Sequence, residues 1–389
     1  MLKTVRDLKD LEGKRVLLRC DFNVPVNKDG EVLDDSRIVQ ALPTIRYLVE
    51  RNAKVIICSH LGRPKGYDKY LSLLPVAVYL MKYFPDKVRF CEKTVGPEAQ
   101  NAVQNVKNGE ILLLENTRFD PREEANDPEF VQELASLADI FVNDAFGAAH
   151  RKHASTYGVA IKLPSAIGLL IEKEIKVIED AINNPKHPFV AIFGGAKVGD
   201  KLTLLHNIIT KADTILIGGG MAYTFLLAQG HNIGNSIVSL DLVNDAKNIL
   251  LEAEQHNVKI VLPVDHLALK DGTNAVYKTT QLEDGYTGLD IGNKTVALFK
   301  KEIAHANQII WNGPLGKFED PRFKKGTFKI AKALAKSDAY TIVGGGDSLN
   351  AVKSCGIEKK IGYLSTGGGA SLKLFAGQNL VALDVIDKI

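Results

Sequence analysis

The sequence predicts an α/β protein built on parallel β-sheets and divided into two domains. Short apolar runs alternate with helical patterns along the chain, which is typical of parallel strands buried on both faces. At 389 residues the chain exceeds the roughly 250 to 300 residues over which a single core grows. Most of the apolar runs end in glycines or polar side chains, which suit ligand binding at the carboxyl edge of such sheets.

Four compact apolar runs in the first half predict parallel strands: Arg15 to Arg19, Lys54 to Cys58, Ile111 to Leu114 and Ile140 to Val142. Between the first two runs, apolar residues at helical spacing predict a helix from Ser36 to Arg51. Polar side chains follow each strand, and they include Asp21 and Asn23 after the first, His60 and Arg63 after the second, and Arg118 after the third.

Six apolar runs in the second half predict further strands: Val190 to Phe193, Ile215 to Ile217, Ile260 to Leu262, Ile309 to Trp311, Ile342 to Val343, and Tyr363 to Leu364. Four of them lead into glycine-rich loops. Such a loop, followed by the start of a helix, brings backbone N–H groups and the positive end of the helix dipole towards an anion. The first half therefore looks suited to a charged substrate and the second half to phosphates.

One helix, predicted from Ile171 to Ala181, connects the two halves. Its apolar residues recur at spacings of three and four, and Asn183-Asn184-Pro185 ends it. A helix between two lobes is a natural pivot, and an ordinary packed connecting helix would carry the same pattern.

Composition excludes several classes of protein. The formal net charge is +3 with acids and bases interspersed, so the sequence indicates no nucleic-acid partner. Four scattered cysteines predict neither a disulfide framework nor a zinc site. Neither a signal peptide nor a membrane-spanning stretch is present, and we expect a cytoplasmic monomer without a membrane partner.

Basic side chains converge on one sheet edge of the first half. The side chains that fall on or near this edge are Arg37, His60, Arg63, Arg118 and, from the loop after the fourth strand, His150, Arg151 and His153. The planar guanidinium binds two oxygens of a carboxylate or phosphate at once. With Asp21 and Asn23 available to a hydroxyl group, a small, polyanionic, hydroxylated substrate is expected. The alternative for Arg37 is an exposed side chain paired with Asp34 or Asp35.

The second half carries a candidate phosphate clamp, because Lys197 and Lys201 lie four residues apart around a glycine loop. The loop matches neither GxxxxGK[ST] nor GxGxxG. Asp347 follows three glycines, and a carboxylate beside a phosphate indicates a bridging metal ion. Taken singly, these loops would serve as tight turns, the lysines as solvated side chains and Glu319 as an exposed loop residue.

Nucleophile motifs are absent from the sequence: it has no GxSxG and no HRD or DFG. A carboxylate acceptor is already ionised at neutral pH. Phosphoryl transfer to such an acceptor requires positioning and charge neutralisation and no general base.

The ordered set of motifs resembles the phosphoglycerate kinase family over essentially the whole chain. The matching segments are Arg19 to Pro25, Ser59 to Pro64, Leu114 to Phe119, Asp144 to Gly147, Ala149 to Arg151, Gly194 to Lys201, Gly218 to Ala222, Trp311 to Pro314, Gly344 to Ser348 and Ser365 to Ser371.

The resemblance implies two doubly wound, Rossmann-like parallel-sheet lobes joined by a helical hinge. Residues 1–168 would form an N-terminal lobe for 3-phosphoglycerate and 1,3-bisphosphoglycerate, with residues 375–389 packing back on it. Residues 169–185 would form the interdomain helix, and residues 186–374 a C-terminal lobe for Mg²⁺ with ATP or ADP.

The resemblance also implies roles for single residues. The triose would be held by Asp21, Asn23, Arg37, His60, Arg63, Arg118 and Arg151. The catalytic groups would be Arg37, Lys197 and the Gly346 amide. The nucleotide would be bound by Lys201, Gly218, Gly219, Gly288, Glu319, Gly345, Gly346, Asp347 and Ser348, with Asp347 also on the metal.

Three positions depart from the family pattern: Lys317, Asn293 and Lys373. They lie near the nucleotide loop and the C-terminal helix, so they leave nucleotide affinity open. Two other classes of function make different demands on the sequence. A non-catalytic nucleotide-binding protein of the same fold would lack a clamp residue, and a nicotinamide-dependent oxidoreductase would carry the dinucleotide fingerprint.

Overall fold

The computed structural model describes all 389 residues, Met1 to Ile389. Contacts divide the chain into two compact units. The first lobe comprises Met1–Lys176 and Asn379–Ile389, and the second lobe comprises Val177–Gln378. No helix has both the length and the apolar character needed to cross a bilayer.

A six-stranded parallel sheet forms the centre of the first lobe. Its strands are β1 Arg15–Arg19, β2 Lys54–Cys58, β3 Val88–Cys91, β4 Ile111–Leu114, β5 Ile140–Asn143 and β6 Ser165–Ile167, in the order β3-β4-β2-β1-β5-β6. The helices are α1 Ser36–Val49, α2 Leu74–Leu80, α3 Pro97–Gln104, α4 Pro128–Ser136 and α5 Val159–Lys162. Helix α6, Leu169–Asn183, contains the boundary between the two lobes.

The order of strands places the polar loops of the first lobe. Strand β1 pairs with β2 on one side and with β5 on the other. The loops that follow β1 and β5 therefore leave neighbouring strands at the same edge, where ligands bind in open α/β sheets. The apolar face of α1, with Ile38, Ile45 and Leu48, packs in the core against β1 and β2 and fixes this arrangement.

The second lobe repeats the plan with a second six-stranded parallel sheet. Its strands are β7 Phe189–Phe193, β8 Thr214–Ile217, β9 Lys259–Val261, β13 Gln308–Asn312, β14 Tyr340–Gly344 and β15 Tyr363–Ser365, in the order β15-β14-β13-β7-β8-β9. The helices are α7 Leu202–Ile209, α8 Met221–Ala228, α9 Val243–Gln255, α10 Asn293–Ala304, α11 Lys325–Leu334, α12 Gly346–Ser354 and α13 Gly369–Phe375.

A small antiparallel sheet in the second lobe was not predicted. It consists of β10 His266–Lys270, β11 Val276–Thr279 and β12 Tyr286–Ile291, in the order β11-β10-β12. These strands lack the compact apolar runs of the parallel sheets, because they are buried only in part. The predicted fold class, an α/β protein with parallel sheets in two lobes, is confirmed.

Candidate active site

An ion pair lies at the end of β1 in the first lobe. Asp21 is buried, and its carboxylate pairs with the guanidinium of Arg37 from the first turn of α1. Burial raises the pKa of Asp21, but the positive charge of Arg37, aided by that of Arg19, outweighs it and holds that pKa below its usual value. The carboxylate therefore remains ionised.

Asp34 and Asp35 were the alternative partners of Arg37, and each has a bond elsewhere. Asp34 accepts from the amide of Ser36 (3.0 Å), and Asp35 accepts from the hydroxyl of Tyr79 (2.6 Å). The ion pair that the structure gives for Arg37 is the one with Asp21 at the sheet edge.

Gly147, in the loop after β5, leaves room for the ion pair. A Cβ atom built at this position would overlap the carboxylate of Asp21 and lie 3.6 Å from Nη1 of Arg37. A side chain here would displace the pair, so the glycine of the Asp144 to Gly147 motif is a steric requirement of the site.

The loop after β2 is held between two predicted site residues. The amide of Gly62 donates to Oδ1 of Asn23 (2.9 Å), and its carbonyl accepts from Nη1 of Arg118 (2.7 Å). Arg118 also pairs with Glu124 through Nη2 (3.0 Å), while its buried Nε has no hydrogen-bond partner. Burial lowers the pKa of Arg118, and repulsion from Arg151 adds to this shift.

His60 belongs to a buried polar chain in which Nη2 of Arg19 lies 3.1 Å from its Nδ1. Nε of Arg19 donates to the hydroxyl of Ser155 (2.7 Å), and that hydroxyl donates to Glu123 (2.5 Å). Burial, with the positive charges of nearby arginines, lowers the pKa of His60 well below its ordinary value despite the opposing charge of Asp21. The imidazole is therefore neutral at pH 7.

Sequence reasoning gave no role to Arg19, Ser155 or Glu123. The available signal was Arg19 itself, because a charge at the end of a buried strand needs partners. Its partners Glu123 and Ser155 come from the loops after β4 and β5, and the spacing of residues in the sequence does not identify them.

Arg63 and Arg151 lie nearer the surface. Arg63 is exposed and makes no hydrogen bond or ion pair, and Arg151 is half-buried with Nε donating to Nε2 of His150 (3.3 Å). The structure thus brings Asp21, Asn23, Arg37, His60 and Arg118 into one set of neighbouring contacts. Arg63, in the same loop as His60, has a free guanidinium.

A cavity of about 540 Å³ lies in the second lobe, at the carboxyl ends of the parallel strands. Its lining includes the predicted residues Gly219, Gly288, Glu319 and Asp347. Gly218, Gly345, Gly346 and Ser348 belong to the same loops but are not part of that lining.

Glycines allow three strand-end loops to pack backbone against backbone around this cavity. The amide of Gly195 donates to the carbonyl of Pro314 (2.8 Å), and the amide of Gly219 donates to the carbonyl of Leu315 (3.1 Å). Gly219 has φ +66°, and a Cβ atom there would lie 2.7 Å from both the Gly195 nitrogen and the Pro314 oxygen. Only glycine fits this contact without strain.

The two lysines of the loop after β7 have different surroundings. Lys201 is buried, and burial lowers the pKa of its ammonium group although Asp200 and Asp347 act in the opposite direction. Lys197 is exposed and has no ion-pair partner. One lysine is thus fixed within the loop, while the other is available to an incoming anion.

Helix α12 begins at Gly346, after Gly345 with φ +93°. The first amides of a helix have no partner within the helix and carry its positive end. The side chain of Ser348 is used within the lobe, because its hydroxyl accepts from the amide of Gly313 (2.6 Å). The backbone amide of Ser348, in the first turn of the helix, is the group that it offers to a ligand.

The unpredicted antiparallel sheet supplies one wall of the cavity. Gly288 lies on β12, where a Cβ atom would overlap the hydroxyl of Tyr223. Asp290 on the same strand is buried, and burial raises its pKa to about 7. It accepts from the amides of Gly326 (2.8 Å) and Ile291 (2.9 Å), so it fixes the start of α11 beside the cavity. Sequence reasoning found neither Tyr223 nor Asp290.

No group of three or more histidine, cysteine or acidic side chains could hold a metal ion on its own. Asp347 is an exposed single carboxylate beside the cavity. Mg²⁺ is commonly held by one or two carboxylates together with substrate phosphates and water. The residues present therefore fit a magnesium ion that arrives with a nucleotide, and they do not fit a permanent all-protein metal site.

The fold and these two sites define a two-lobed α/β phosphotransferase. The family model for phosphoglycerate kinase matches residues 5–378. The chain is 47% identical over 393 residues to the phosphoglycerate kinase of Clostridium tetani (99% of this chain, 98% of the relative). It is 49% identical over 392 residues to that of Clostridium perfringens, with the same two coverages. The chain therefore belongs to the phosphoglycerate kinase family, phosphotransferases of glycolysis and gluconeogenesis with a carboxyl group as acceptor.

Solved structures agree with this assignment. The phosphoglycerate kinase of Coxiella burnetii is 38% identical with a TM-score of 0.86, and that of Pyrococcus horikoshii OT3 is 34% identical with a TM-score of 0.84. Each comparison covers 99% of this chain and 98% of the solved chain.

The three departures from the family pattern have different surroundings. Lys317 lines the cavity, and its amide donates to the carbonyl of Leu289 (2.8 Å). Asn293 begins α10 and accepts from Nζ of Lys329 (2.8 Å). Lys373 is half-buried in the last turn of α13. Of the three, only Lys317 contributes to the lining of the cavity of the second lobe.

Proposed function

We propose that this chain catalyses the reversible transfer of a phosphoryl group between 1,3-bisphosphoglycerate and ADP, giving 3-phosphoglycerate and ATP. One observation carries the proposal: a basic site around Asp21 and Arg37 on one lobe accompanies a glycine-lined cavity on the other, with Asp347 in its lining and Lys201 packed beside Gly195 of that lining. A cytoplasmic location and a monomeric state remain predictions from the sequence.

The first lobe binds the triose. Arg118, Arg151 and the exposed Arg63 supply positive charge for the phosphate and carboxylate groups of 3-phosphoglycerate. Asp21 and Asn23 serve the hydroxyl group, and the neutral His60 donates to an anionic oxygen. The ion pair between Asp21 and Arg37 supports this role, because it directs Arg37 before any ligand binds.

The second lobe binds the nucleotide. The adenosine occupies the cavity lined by Gly219 and Gly288, with its ribose towards Glu319, and Gly218 supports the same loop. Lys201 and the amides of Gly345, Gly346 and Ser348 receive the phosphates. When bound, Mg²⁺ held by Asp347 neutralises phosphate charge and orients the terminal phosphoryl group.

Transfer needs no general base, because the carboxylate of 3-phosphoglycerate is ionised at neutral pH. The remaining requirement is to neutralise the charge that spreads over the migrating phosphoryl group. Arg37, Lys197 and the Gly346 amide supply this. The exposure of Lys197 and its lack of a partner support the assignment, because its ammonium group is free to move to the phosphoryl group.

The proposal also requires movement of the lobes. Reacting atoms must come within about 3 to 3.5 Å for an in-line displacement. Because the two substrates are assigned to different lobes, closure about α6 must bring them together.

A turnover assay tests the proposal directly. Purified protein is incubated with Mg²⁺, ATP and 3-phosphoglycerate, and ADP formation is followed. Glycerol 3-phosphate is the matched control, since it keeps a phosphate and hydroxyl groups but has no carboxylate to accept a phosphoryl group. We expect ADP with 3-phosphoglycerate alone. A folded protein that forms no ADP above background would leave a non-catalytic nucleotide-binding protein as the explanation.

A further inference from the structure

Arg19 lies behind His60 and cannot itself meet a substrate, because only 1% of its surface is exposed. Its guanidinium nevertheless reaches the site through one contact, the 3.1 Å approach of Nη2 to Nδ1 of His60. The imidazole of His60 is therefore the predicted triose residue with which Arg19 makes a hydrogen bond.

The chemistry of the two side chains fixes the direction of this hydrogen bond. Arginine has five N–H donors and no acceptor, so Nδ1 of His60 must be the acceptor. A neutral imidazole whose Nδ1 accepts carries its proton on Nε2. The ring therefore presents an N–H donor on the side away from Arg19.

Ser155 and Glu123 hold Arg19 in place. The hydroxyl of Ser155 accepts from Nε of Arg19 (2.7 Å) and donates to Oε1 of Glu123 (2.5 Å). The amide of Ser155 donates to Oε2 of Glu123 (3.0 Å). Both Ser155 and Glu123 are fully buried, so these bonds do not compete with water. Burial raises the pKa of the Glu123 carboxyl, and the positive charge of Arg19 opposes that shift, so the acid and the buried guanidinium stabilise each other's charge.

We propose that Glu123, Ser155 and Arg19 are positioning residues that keep His60 in its Nε2–H tautomer, so that it donates a hydrogen bond to an anionic oxygen of the triose. This assignment rests on the proposed function, since it takes the first lobe as the triose site. The hydrogen bonds thus lead from the buried Glu123 through Ser155 and Arg19 to His60. The group that would meet the substrate is the neutral imidazole.

Nitrogen-15 NMR of the ligand-free protein tests the tautomer without reference to activity. Histidine side chains are labelled, and His60→Asn identifies the His60 signals among those of the nine histidines. We expect an unprotonated Nδ1 and a protonated Nε2 at pH 7. A protonated Nδ1, either in the other tautomer or in an imidazolium, would overturn the proposal.

Binding and kinetics test the positioning role. Ser155→Ala removes the link between Glu123 and Arg19, and we expect the Kd and KM for 3-phosphoglycerate to rise about 10-fold, as loss of a buried hydrogen bond implies. The KM for ATP and kcat should stay unchanged, because the nucleotide binds on the other lobe. Ser136→Ala is the control, since it removes an exposed hydroxyl bond (2.7 Å to the carbonyl of Glu133) of the same lobe.

Glu123→Gln separates positioning from structural damage. Glutamine keeps an oxygen acceptor for Ser155, so its effect on triose binding should be smaller than that of Glu123→Ala. If Ser155→Ala stays folded and changes neither the His60 signals nor triose affinity, the positioning role is wrong. If the wild type shows the expected tautomer but no turnover with 3-phosphoglycerate, the proposed function fails and the positioning of His60 stands.

Discussion

Lys197 and Lys201 show how two residues of one type can have different tasks within a single loop. Lys201 is buried against Gly195, with its Nζ 3.3 Å from where a Cβ atom of that glycine would lie. Lys197 is exposed and unpaired. The side chain that is already fixed suits a resting phosphate, and the free one suits charge that develops only during transfer.

Replacing Lys197 by alanine should lower kcat about 10²- to 10³-fold, the usual cost of removing one group that stabilises transition-state charge. The KM values for both substrates should change by less than about threefold, because a contact formed in the transition state does not contribute to ground-state binding. Thermal unfolding should be unaffected, since the side chain has no partner to lose. Steady-state kinetics with both substrates varied, and a melting curve, measure these effects.

Lys247→Ala is the matched control, because Lys247 is an exposed lysine on α9 of the same lobe and does not line the nucleotide cavity. Equal rises in KM and falls in kcat for Lys197→Ala would contradict its assignment to the transition state.

Arg37→Ala should lower kcat by a similar factor and should also destabilise the first lobe. The carboxylate of Asp21 would remain buried after losing its ion-pair partner. Breaking a buried pair in this way is costly, typically about 3 to 5 kcal/mol, and partial exposure of Arg37 places this site at the lower end. Urea titration gives the free energy of unfolding. Equal stabilities of Arg37→Ala and wild type would show that the pair contributes nothing to the fold.

Among the elements, the glycine turns after β7, β8 and β13 depend on close backbone contacts. Gly219→Ala should lower the free energy of unfolding by about 1 to 3 kcal/mol, because the position combines φ +66° with contacts that leave no room for a Cβ atom. The Kd for ATP should rise at least 10-fold, whereas the Kd for 3-phosphoglycerate should not change. Isothermal titration with each substrate measures both constants.

Gly230→Ala distinguishes the effect of backbone strain from the effect of loop packing. Gly230 has φ +84°, and nothing lies within 4 Å of the position of its Cβ atom. This variant should show the backbone strain without the loss of nucleotide binding. An equal loss in both variants would mean that strain alone, and not the packing of the loops, explains the result.

Asp144 connects the end of β5 to the start of α6. Its Oδ1 accepts from the amides of Leu170 (3.0 Å) and Ile171 (3.1 Å), which are otherwise unpaired donors of the first turn. Burial raises the pKa of this carboxyl to about 7 from an ordinary value of 3.8. The folded protein therefore keeps a proton that the unfolded chain loses between these two pH values.

The sign of the resulting pH dependence follows from linkage. The contribution of Asp144 is fully present below about pH 4 and is lost as pH rises through about 7, because the native state binds more protons in this range. Asp144→Asn keeps the Oδ1 acceptor but cannot titrate, so it should flatten this part of the stability curve. Asp144→Ala should cost about 1 to 2 kcal/mol through loss of the cap. Urea titrations between pH 4 and pH 8 would contradict the assignment if Asn and wild type gave parallel curves.

Sequence patterns predicted the elements that rest on local signals. The compact runs gave β1, β2 and β4 with the observed bounds, and helical spacing gave α1 within two residues at its C-terminal end. Strand β6 has only three residues, and β3 carries the exposed Arg89, so neither forms a compact apolar run. The antiparallel sheet was also missed, although it carries Asp290.

The convergence of polar side chains at strand ends was predictable, because parallel strands share an edge. Contacts that join separate loops were not, because the sequence gives no distance between them. The burial of Lys201, the use of the Ser348 hydroxyl by Gly313, and the bond from Ser155 to Glu123 all depend on such contacts.

At the scale of the whole molecule, the proposed function assigns half of the chemistry to each lobe. The substrate that accepts the phosphoryl group is assigned to the loops of one parallel sheet, and the substrate that donates it to the loops of the other. A ligand that binds one lobe alone makes the same contacts in the open and the closed arrangement, so it favours neither. Two ligands together make contacts that differ between the two arrangements. Closure should therefore depend on both substrates being present.

Small-angle X-ray scattering tests this dependence. We expect the radius of gyration to fall when 3-phosphoglycerate and Mg-ATP are both saturating, and to change less with either ligand alone. Lys197→Ala should still compact, because its charge acts in the transition state and not in the approach of the lobes. Gly219→Ala should fail to compact at ATP concentrations that saturate the wild type and should recover at higher ones. A radius of gyration that stays constant with both ligands bound would mean that phosphoryl transfer in this protein does not require closure about α6.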